Sequence, residues 1–125
     1  MAADASAPLD FPRSRRLKQG RDFLRIKAQG KRVVCGCLVA NFLMGGDASP
    51  TRLGVITSRK IGNAVVRSRA RRLLREAFRL HQRELVSPVE LVLVARASIA
   101  GKKFAEVEKD LLQVMQRGGL LKSKA

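Results

Sequence analysis

An amphipathic, arginine-rich segment in the middle of the chain constrains the fold more than any other feature. The segment 58–79 reads SRKIGNAVVRSRARRLLREAFR, and Glu76 is its only acidic residue. On a helix with about 100° per residue, one side collects the arginines at 67, 71, 72, 75 and 79. The opposite side carries apolar residues at i, i+3, i+4 spacing, namely Ala70, Leu73, Leu74, Ala77 and Phe78. One side of this helix is therefore expected to pack on a core while the other faces solvent.

The charged side of this helix also indicates a partner. A solvated helix face normally mixes acidic and basic residues, whereas this face is almost entirely positive. Each guanidinium group is a planar fork of donors that matches the oxygen atoms of a phosphate. The segment therefore predicts binding to a nucleic acid backbone.

The composition of the whole chain supports one folded, cationic domain. Its 125 residues suffice for a single domain with a modest core, and its formal net charge is +16. Hydrophobic residues make up 46% of the chain, which separates it from disordered basic tails. A second basic region runs through residues 13–32, where Asp22 is the sole acid. No apolar run approaches the ~20 residues of a membrane span, and no signal peptide is evident. We expect a cytoplasmic protein.

Local patterns predict seven elements in the order αβββαβα. These are a short helix between Gly20 and Gly30, a strand with a bulge or two short strands over Val33–Met44, a strand over Arg52–Thr57, a long helix over Asn63–Arg83, a strand after Pro88 and a helix over Phe104–Arg117. The turn-forming residues at 45–50 separate two of the strands. The order predicts an α/β (α+β) two-layer sandwich, in which one sheet of about four strands is packed by helices.

The domain boundaries are predicted from periodicity and composition. Residues 1–12 are Ala-rich, contain two prolines and show no periodicity, so we expect a disordered N-terminal arm. We expect residues 13–118 to form a single RNA-binding domain. Residues 119–125 follow the glycine pair at 118 and 119, and we expect them to form a basic C-terminal tail.

The sequence contains few groups suited to protein-based catalysis. Cys35 and Cys37 are interpreted as core or half-buried thiols, because a Cys-x-Cys pair rarely forms a disulfide and a zinc site would need ligands beyond His81. His81 lies on the apolar side of the long helix and is interpreted as a packed residue. Glu106 and Asp110 share a helix face and could hold Mg2+, but a solvated face is the preferred interpretation. There is also no phosphate-binding GxxxxGK[ST] loop and no HExxH motif. Any activity is therefore expected to depend on chemistry supplied by another molecule.

One motif is specific enough to indicate a family. The sequence TSRKIGNAVVRSRARR, residues 57–72, resembles the signature of the bacterial ribonuclease P protein subunit. In that signature a lysine-rich loop and a GNAV turn lead into a helix that begins with Arg-Asn-Arg. RDFLRIKAQGKRV resembles the N-terminal helix of the family, and LVLVARA resembles its last strand, which ends in a basic residue at Arg96. The resemblance covers about 100 residues from Arg13 to the final helix.

The resemblance implies a fold and two RNA-binding surfaces. The implied fold is an α/β sandwich with a left-handed βαβ crossover, which the general handedness rule would not predict. The first surface would bind the catalytic RNA of ribonuclease P through Arg67, Ser68, Arg69, Arg71, Arg72 and Arg75. The second would bind the single-stranded 5′ leader of precursor tRNA through Phe23, Lys27, Arg59, Lys60 and Arg96. The RNA and its bound Mg2+ would cleave the leader, so no catalytic or metal-binding residue is expected in the protein.

Two positions depart from the family pattern. Ser68 stands where the family usually has Asn, and it keeps a hydroxyl but loses the paired donor and acceptor of an amide. Lys27 stands where many members have a second aromatic residue, one turn after Phe23. Phe23 is therefore the expected stacking ring, and Phe42 is a further candidate.

Two alternatives follow from the residues themselves. A structural RNA-binding module, such as a ribosomal protein or an assembly factor, would carry the same basic surface. A protein-only nuclease is disfavoured, because the sequence shows no cluster of carboxylates or histidines.

Overall fold

The fold contains the seven predicted elements in the predicted order. The structure is a computed structural model, and it describes residues 15–17, 20–44 and 51–122. The helices are α1 (Gly20–Gln29), α2 (Ala64–His81) and α3 (Phe104–Arg117), and the strands are β1 (Lys31–Cys35), β2 (Leu38–Met44), β3 (Arg52–Ile56) and β4 (Val89–Ala95). Short 3-10 turns follow β3, α2 and β4, at Arg59–Ile61, Gln82–Glu84 and Ala97–Ile99. The predicted order αβββαβα is confirmed.

The four strands form one mixed sheet in the order β1-β2-β4-β3. β1 and β2 are antiparallel, as are β2 and β4, whereas β3 runs parallel to β4. The chain passes from β3 through α2 to β4, so these three elements form a βαβ unit between adjacent parallel strands. The left-handed crossover of this unit stays a prediction. Arg16 pairs with Leu53 on the outer side of β3 and extends the sheet at that edge.

The apolar run over Val33–Met44 folds as a hairpin, which was one of its two predicted forms. Cys35 pairs with Leu38, so Gly36 and Cys37 form the turn between β1 and β2. Gly36 has a φ of 56°, and a Cβ atom there would collide with the carboxylate of Asp110. Both the turn and the approach of α3 therefore require glycine at this position.

Helices pack on both faces of the sheet. Leu91 and Leu93 of β4 face α2 and α3 in the larger hydrophobic cluster, whereas Val92 faces α1 in a smaller cluster with Ile26. The predicted apolar side of α2 is confirmed. Its buried residues are Ala70, Leu74, Ala77 and Phe78, and Leu73 is partly buried against them. The predicted class, a sheet packed by helices, is confirmed, and α1 adds a partial third layer.

The domain extends beyond the C-terminal boundary that the glycine pair predicted. Leu120 is buried in the larger cluster, Leu121 pairs with Leu85, and the N–H of Lys122 donates to the carbonyl oxygen of Glu84 at 2.8 Å. The expected tail therefore does not begin at 119, because an apolar residue just after the glycines still finds a place in the core. Residues 123–125 and the expected arm, 1–12, lie outside the described residues. Within the described ranges, no helix is long and apolar enough to cross a membrane.

Candidate nucleic-acid interface

The GNAV motif builds the turn that starts α2. Gly62 has a φ of 147°, and a Cβ atom there would lie 2.9 Å from the side chain of Val66. Asn63 is the N-cap of the helix, and its Oδ1 accepts the N–H of Val66 at 3.0 Å. Gly62 is needed because its backbone conformation permits the turn. Asn63 is needed because its side chain accepts a backbone N–H group that has no partner within the helix.

The charged side of α2 lies at the surface, and the sheet orients part of it. Arg71 donates from Nη1 to Oγ1 of Thr57 at 2.7 Å and from Nη2 to Oγ of Ser68 at 3.1 Å. Ser68 and Arg72 are exposed, and Arg67 and Arg71 are half-buried. The hydroxyl of Ser68 thus helps to hold the Arg71 guanidinium group. All six residues predicted to bind the catalytic RNA occur on this one helix, where Arg69 and Arg75 are also half-buried.

The helix α1 crosses the other face of the sheet, from β3 towards β2. Near its start the ring of Phe23 lies over Gly54, where an added Cβ atom would be only 2.6 Å from Cε1 of the ring. Ile26 is fully buried in the smaller cluster. Gly30 follows α1, and a Cβ atom there would lie 2.6 Å from the carbonyl oxygen of Ile26.

One flank of α1 is bound to the sheet by ion pairs. Arg25 donates from Nη1 and Nη2 to the two carboxylate oxygens of Glu90, at 2.9 and 2.8 Å. Asp22 lies 3.5 Å from Arg25 and 4.0 Å from Arg52, which in turn lies 3.7 Å from Glu90. Arg52 and Glu90 stand at the beginnings of β3 and β4. This flank of α1 therefore faces the end of the sheet where both strands start.

The opposite flank of α1 carries Phe23 and Lys27. They lie about 60° and about 100° to one side of Ile26 on the helix, whereas Asp22 and Arg25 lie on the other side. Phe23 is half-buried and Lys27 is exposed. This flank must therefore face the end of the sheet where β3 and β4 finish.

The remaining cations of the predicted leader-binding set lie at that same end. Because β3 and β4 are parallel neighbours, with Ile56 opposite Val94, the segments that follow them emerge side by side. Arg59 and Lys60 follow β3 and Arg96 follows β4, and all three are exposed.

An apolar floor lies between these cations and α1. Ile56 and Val94 are partly buried against the smaller cluster, and Val34 on the same face of the sheet is 37% exposed. Phe23, Lys27, Ile56, Val94 and Val34 belong to this face of the sheet, and exposed cations follow the two strands at its end. We refer to this region, together with Arg59, Lys60 and Arg96, as the α1 cleft.

Phe42 is not part of the α1 cleft, so its candidacy as a stacking ring is wrong. The side chain is 2% exposed and belongs to the larger cluster, on the face of the sheet opposite α1. A Cβ atom at Gly118 would lie 2.7 Å from Cζ of its ring. Strand alternation explains the error, because residue 42 points to the core face while residues 41 and 43 point towards α1.

The two cysteines are buried and free, as predicted. The thiol of Cys35 donates to Oε1 of Gln113 at 2.9 Å. Burial raises the pKa of the Cys37 thiol to about 12, and hydrogen bonding to Asp110 adds to the effect. The Cys37 thiol therefore remains protonated at neutral pH. Both cysteines act as small packed groups.

The two carboxylates that shared a face of α3 serve local structural roles. Oδ2 of Asp110 accepts the N–H of Cys37 at 2.9 Å and so holds the β1–β2 turn. Oε1 of Glu106 accepts the N–H of Lys103 at 3.0 Å at the start of α3. Among the described residues, no group of three histidine, cysteine or acidic side chains could hold a metal ion.

His81 connects α2 to α3, which agrees with its interpretation as a packed residue. Its Nε2 lies 2.8 Å from Oε2 of Glu108, and its Nδ1 is hydrogen-bonded to Glu84. Burial by itself would lower the pKa of His81, but the hydrogen bonds and charges of Glu108 and Glu84 outweigh it and raise the pKa above its ordinary value. The folded protein therefore binds a proton on His81 more tightly than the unfolded chain does.

The sequence analysis missed the residues that position α1. Glu90 and Arg25 are 65 residues apart, and nothing local connects them. A signal was nevertheless present, because Glu90 is the one acidic residue in the otherwise apolar strand VELVLVA. Glu90 is only 9% exposed, and a buried carboxylate requires a cationic partner.

Comparisons with known proteins point to one family. The sequence pattern of the Ribonuclease P family matches residues 11–119. The ribonuclease P protein component of Gluconacetobacter diazotrophicus is 39% identical over 109 residues, which cover 86% of this chain and 94% of that protein. The corresponding component of Clostridioides difficile is 32% identical over 110 residues, which cover 87% of this chain and 96% of that protein.

Solved structures agree. An RNase P protein from Staphylococcus aureus superposes with a TM-score of 0.79 at 26% identity and covers 86% of this chain and 98% of its own. The RNase P protein from Thermotoga maritima gives a TM-score of 0.73 at 30% identity, and the match covers 82% of this chain and 96% of that protein.

Proposed function

Because the chain belongs to the ribonuclease P protein family, we propose that it assists a catalytic RNA in removing the 5′ leaders of precursor tRNAs. The observation that carries this proposal is the pair of cationic surfaces on opposite faces of one sheet. The charged side of α2 lies on one face, and the α1 cleft lies on the other. A protein of this size with two such surfaces can contact two RNA segments at once.

The α2 surface is assigned to the catalytic RNA. Five arginines and one serine lie along the first turns of a single helix, and they offer donors that suit contacts with phosphate and sugar oxygens. Such contacts position a protein on RNA without reading its sequence. The assigned residues are Arg67, Ser68, Arg69, Arg71, Arg72 and Arg75.

The α1 cleft is assigned to the single-stranded leader. An apolar floor beside one aromatic ring suits an unstacked base, and the surrounding cations suit the phosphates on either side of it. One ring allows little discrimination among bases, so we expect leader binding to tolerate many sequences. The assigned residues are Phe23, Lys27, Arg59, Lys60 and Arg96.

The chemical step is assigned to the RNA. Mg2+ bound mainly by the RNA would stabilise the charges that develop when the phosphodiester bond is cleaved. On the protein, Glu106 and Asp110 already accept backbone N–H groups, so they suit the fold better than a metal cage. The protein would hold the leader in a fixed position relative to the catalytic RNA. We propose that this reaction takes place in the cytoplasm.

Reconstitution tests the proposal. The purified protein, the cognate RNA transcript and a radiolabelled precursor tRNA are combined with and without Mg2+, and cleavage at the mature 5′ end is followed on gels. We expect cleavage with protein, RNA and Mg2+ together, and none with protein alone. Site-specific cleavage by RNA-free protein would show that the chemistry belongs to the protein.

A pulldown separates this function from a structural RNA-binding role. RNA recovered with the tagged protein from its native cells is sequenced. We expect the ribonuclease P RNA and precursor tRNAs to dominate. Ribosomal RNA as the main species would instead support a ribosomal or assembly role.

A further inference from the structure

A hydrogen bond connects α2 to the segment that follows β3. The Nη1 atom of Arg71 donates to Oγ1 of Thr57 at 2.7 Å, while its Nη2 atom donates to Oγ of Ser68 at 3.1 Å. Thr57 and Arg71 are both half-buried. Ser68 lies on the same helix as Arg71, whereas Thr57 belongs to a different part of the chain. The guanidinium group of Arg71 therefore joins the helix to the end of the strand.

Thr57 stands where the chain leaves the sheet. The pairing of β3 with β4 ends at Ile56, which is partly buried in the α1 cleft. Arg59 and Lys60, two of the cations assigned to the leader, follow Thr57 after one residue and are exposed. Ile61 comes next and is buried in the larger cluster. The two cations therefore lie on an exposed turn between two anchored residues.

The turn depends on those anchors for its position. Its own backbone hydrogen bonds are long, because the N–H of Ile61 lies 3.2 Å from the carbonyl oxygen of Ser58, and the N–H of Gly62 lies 3.2 Å from that of Arg59. This distance is at the upper end of the range for N–H···O bonds. The contact of Thr57 with α2, at 2.7 Å, is much shorter. The Thr57 hydroxyl therefore contributes to where Arg59 and Lys60 are held.

We propose that Thr57 is a positioning residue, through which Arg71 on the α2 surface supports leader binding in the α1 cleft. The hydroxyl holds the turn against α2 and so restricts the motion of Arg59 and Lys60. A cation that is already ordered binds a phosphate more tightly, because less conformational entropy is lost on binding. The inference rests on the proposed function, and it gives Arg71 a second role beyond its contact with the catalytic RNA.

The first test removes one hydroxyl group from the turn. Thr57→Val replaces the hydroxyl with a methyl group of similar size, and Thr57→Ser keeps the hydroxyl. The holoenzyme is assembled with protein in excess over the catalytic RNA, and competitive binding gives its affinities for precursor and mature tRNA. The ratio of the two affinities is the leader preference. Thr57→Val should lower the leader preference about threefold, and Thr57→Ser should retain it.

Thr51→Val is the matched control, because Thr51 is the other threonine of the chain. Its Oγ1 accepts the N–H of Val89 at 3.2 Å, at the opposite end of β3 from Thr57. This variant also loses a threonine hydroxyl that accepts a hydrogen bond, but it should keep the wild-type leader preference. Circular dichroism verifies the fold of every variant.

The second test asks whether Thr57 acts through Arg71. Arg71→Ala should lower the leader preference by the same factor as Thr57→Val, and the double variant should lower it no further. Arg72→Ala is the comparison, because Arg72 is the neighbouring arginine on the α2 surface and is exposed. It should weaken assembly with the catalytic RNA, but the assembled holoenzyme should keep its leader preference.

Four outcomes would overturn the inference. Thr57→Val could match Thr51→Val, or Thr57→Ser could lose as much leader preference as Thr57→Val. Arg71→Ala could affect the leader preference no more than Arg72→Ala does, or the losses from Thr57→Val and Arg71→Ala could multiply in the double variant. A wild-type holoenzyme that binds precursor and mature tRNA equally well would instead refute the proposed function of the α1 cleft.

Discussion

Phe23 shows how one small residue in a strand can decide the position of an aromatic ring. The ring lies where any side chain at position 54 would be, so Gly54 makes room for it on β3. The ring is half-buried by this contact, and part of it remains open to the α1 cleft. Phe23 can therefore anchor α1 and still offer an edge or face to a base.

Phe23→Ala should weaken binding of leader-bearing precursor tRNA by about 1–3 kcal/mol, which is the value of one stacked base. Binding of mature tRNA to the same holoenzyme should change far less, because it has no leader. Competitive binding assays with both RNAs measure the difference. Leu24→Ala is the control, since Leu24 lies on the same helix and is 69% exposed. Equal losses for both RNAs would assign Phe23 to the core alone.

At the scale of elements, α1 depends on charge for its orientation more than on apolar area. Few of its residues are buried, and Ile26 is the only fully buried one that the helix contributes. The bidentate pair between Arg25 and Glu90 therefore has a large share in fixing the rotation of the helix. That rotation directs Phe23 and Lys27 towards the ends of β3 and β4.

Arg25→Met should lower the free energy of unfolding by about 1–2 kcal/mol, because it leaves a mostly buried carboxylate with a weaker partner. Arg52 at 3.7 Å moderates the loss. The double variant Arg25→Met with Glu90→Gln should recover part of it, since the unpaired charge is then gone. Urea denaturation measures these values, with Arg21→Met on the exposed side of α1 as control. A single variant as stable as the wild type would show that the pair does not hold α1.

The junction of α2 and α3 should make stability depend on pH. The folded pKa of His81 lies above its ordinary value, so the folded protein binds this proton more tightly than the unfolded chain does. The stabilisation is fully present below the unfolded pKa of about 6.5. It is lost as the pH rises through the folded pKa.

We therefore expect the free energy of unfolding to fall as the pH rises from about 6.5 through the folded pKa of His81. Denaturant titrations at a series of pH values measure this, and nuclear magnetic resonance of the ring protons gives the folded pKa directly. In His81→Gln the fall should be absent or much smaller. A wild-type profile that matches that of the variant would exclude His81 as the cause.

At the scale of the whole molecule, the net charge of +16 acts on folding and on binding in opposite ways. Like charges on a compact domain repel one another and lower its stability, and salt screens this repulsion. The same charges attract RNA, and salt weakens that attraction.

Raising the salt concentration from about 50 to about 200 mM should raise the melting temperature of the free protein. Over the same range the affinity for the catalytic RNA should fall on the order of 10³-fold, as about six phosphate contacts require. Differential scanning fluorimetry and filter binding measure the two trends. A melting temperature that falls with salt would show that specific ion pairs outweigh the general repulsion.

Several features could be predicted because they depend on neighbours along the chain. The apolar and charged sides of α2 follow from the spacing of residues 67–79. The GNAV motif indicates the turn and the N-cap with which the helix begins. The order of elements follows from short-range periodicity in the same way. The roles of the individual site residues stay predictions.

The sequence by itself determined which faces are apolar, where the helices and strands lie and where the positive charge is concentrated. Only the tertiary structure decided which faces meet. The parallel pairing of β3 with β4 brings Arg59, Lys60 and Arg96 to one end of the sheet, and it could not be predicted from the strands alone. The pairing of Arg25 with Glu90, and the burial of Phe42 away from α1, were likewise decided by packing. Periodicity indicates that a face of a helix or strand is buried. Which other element covers that face depends on how segments distant in the sequence pack together.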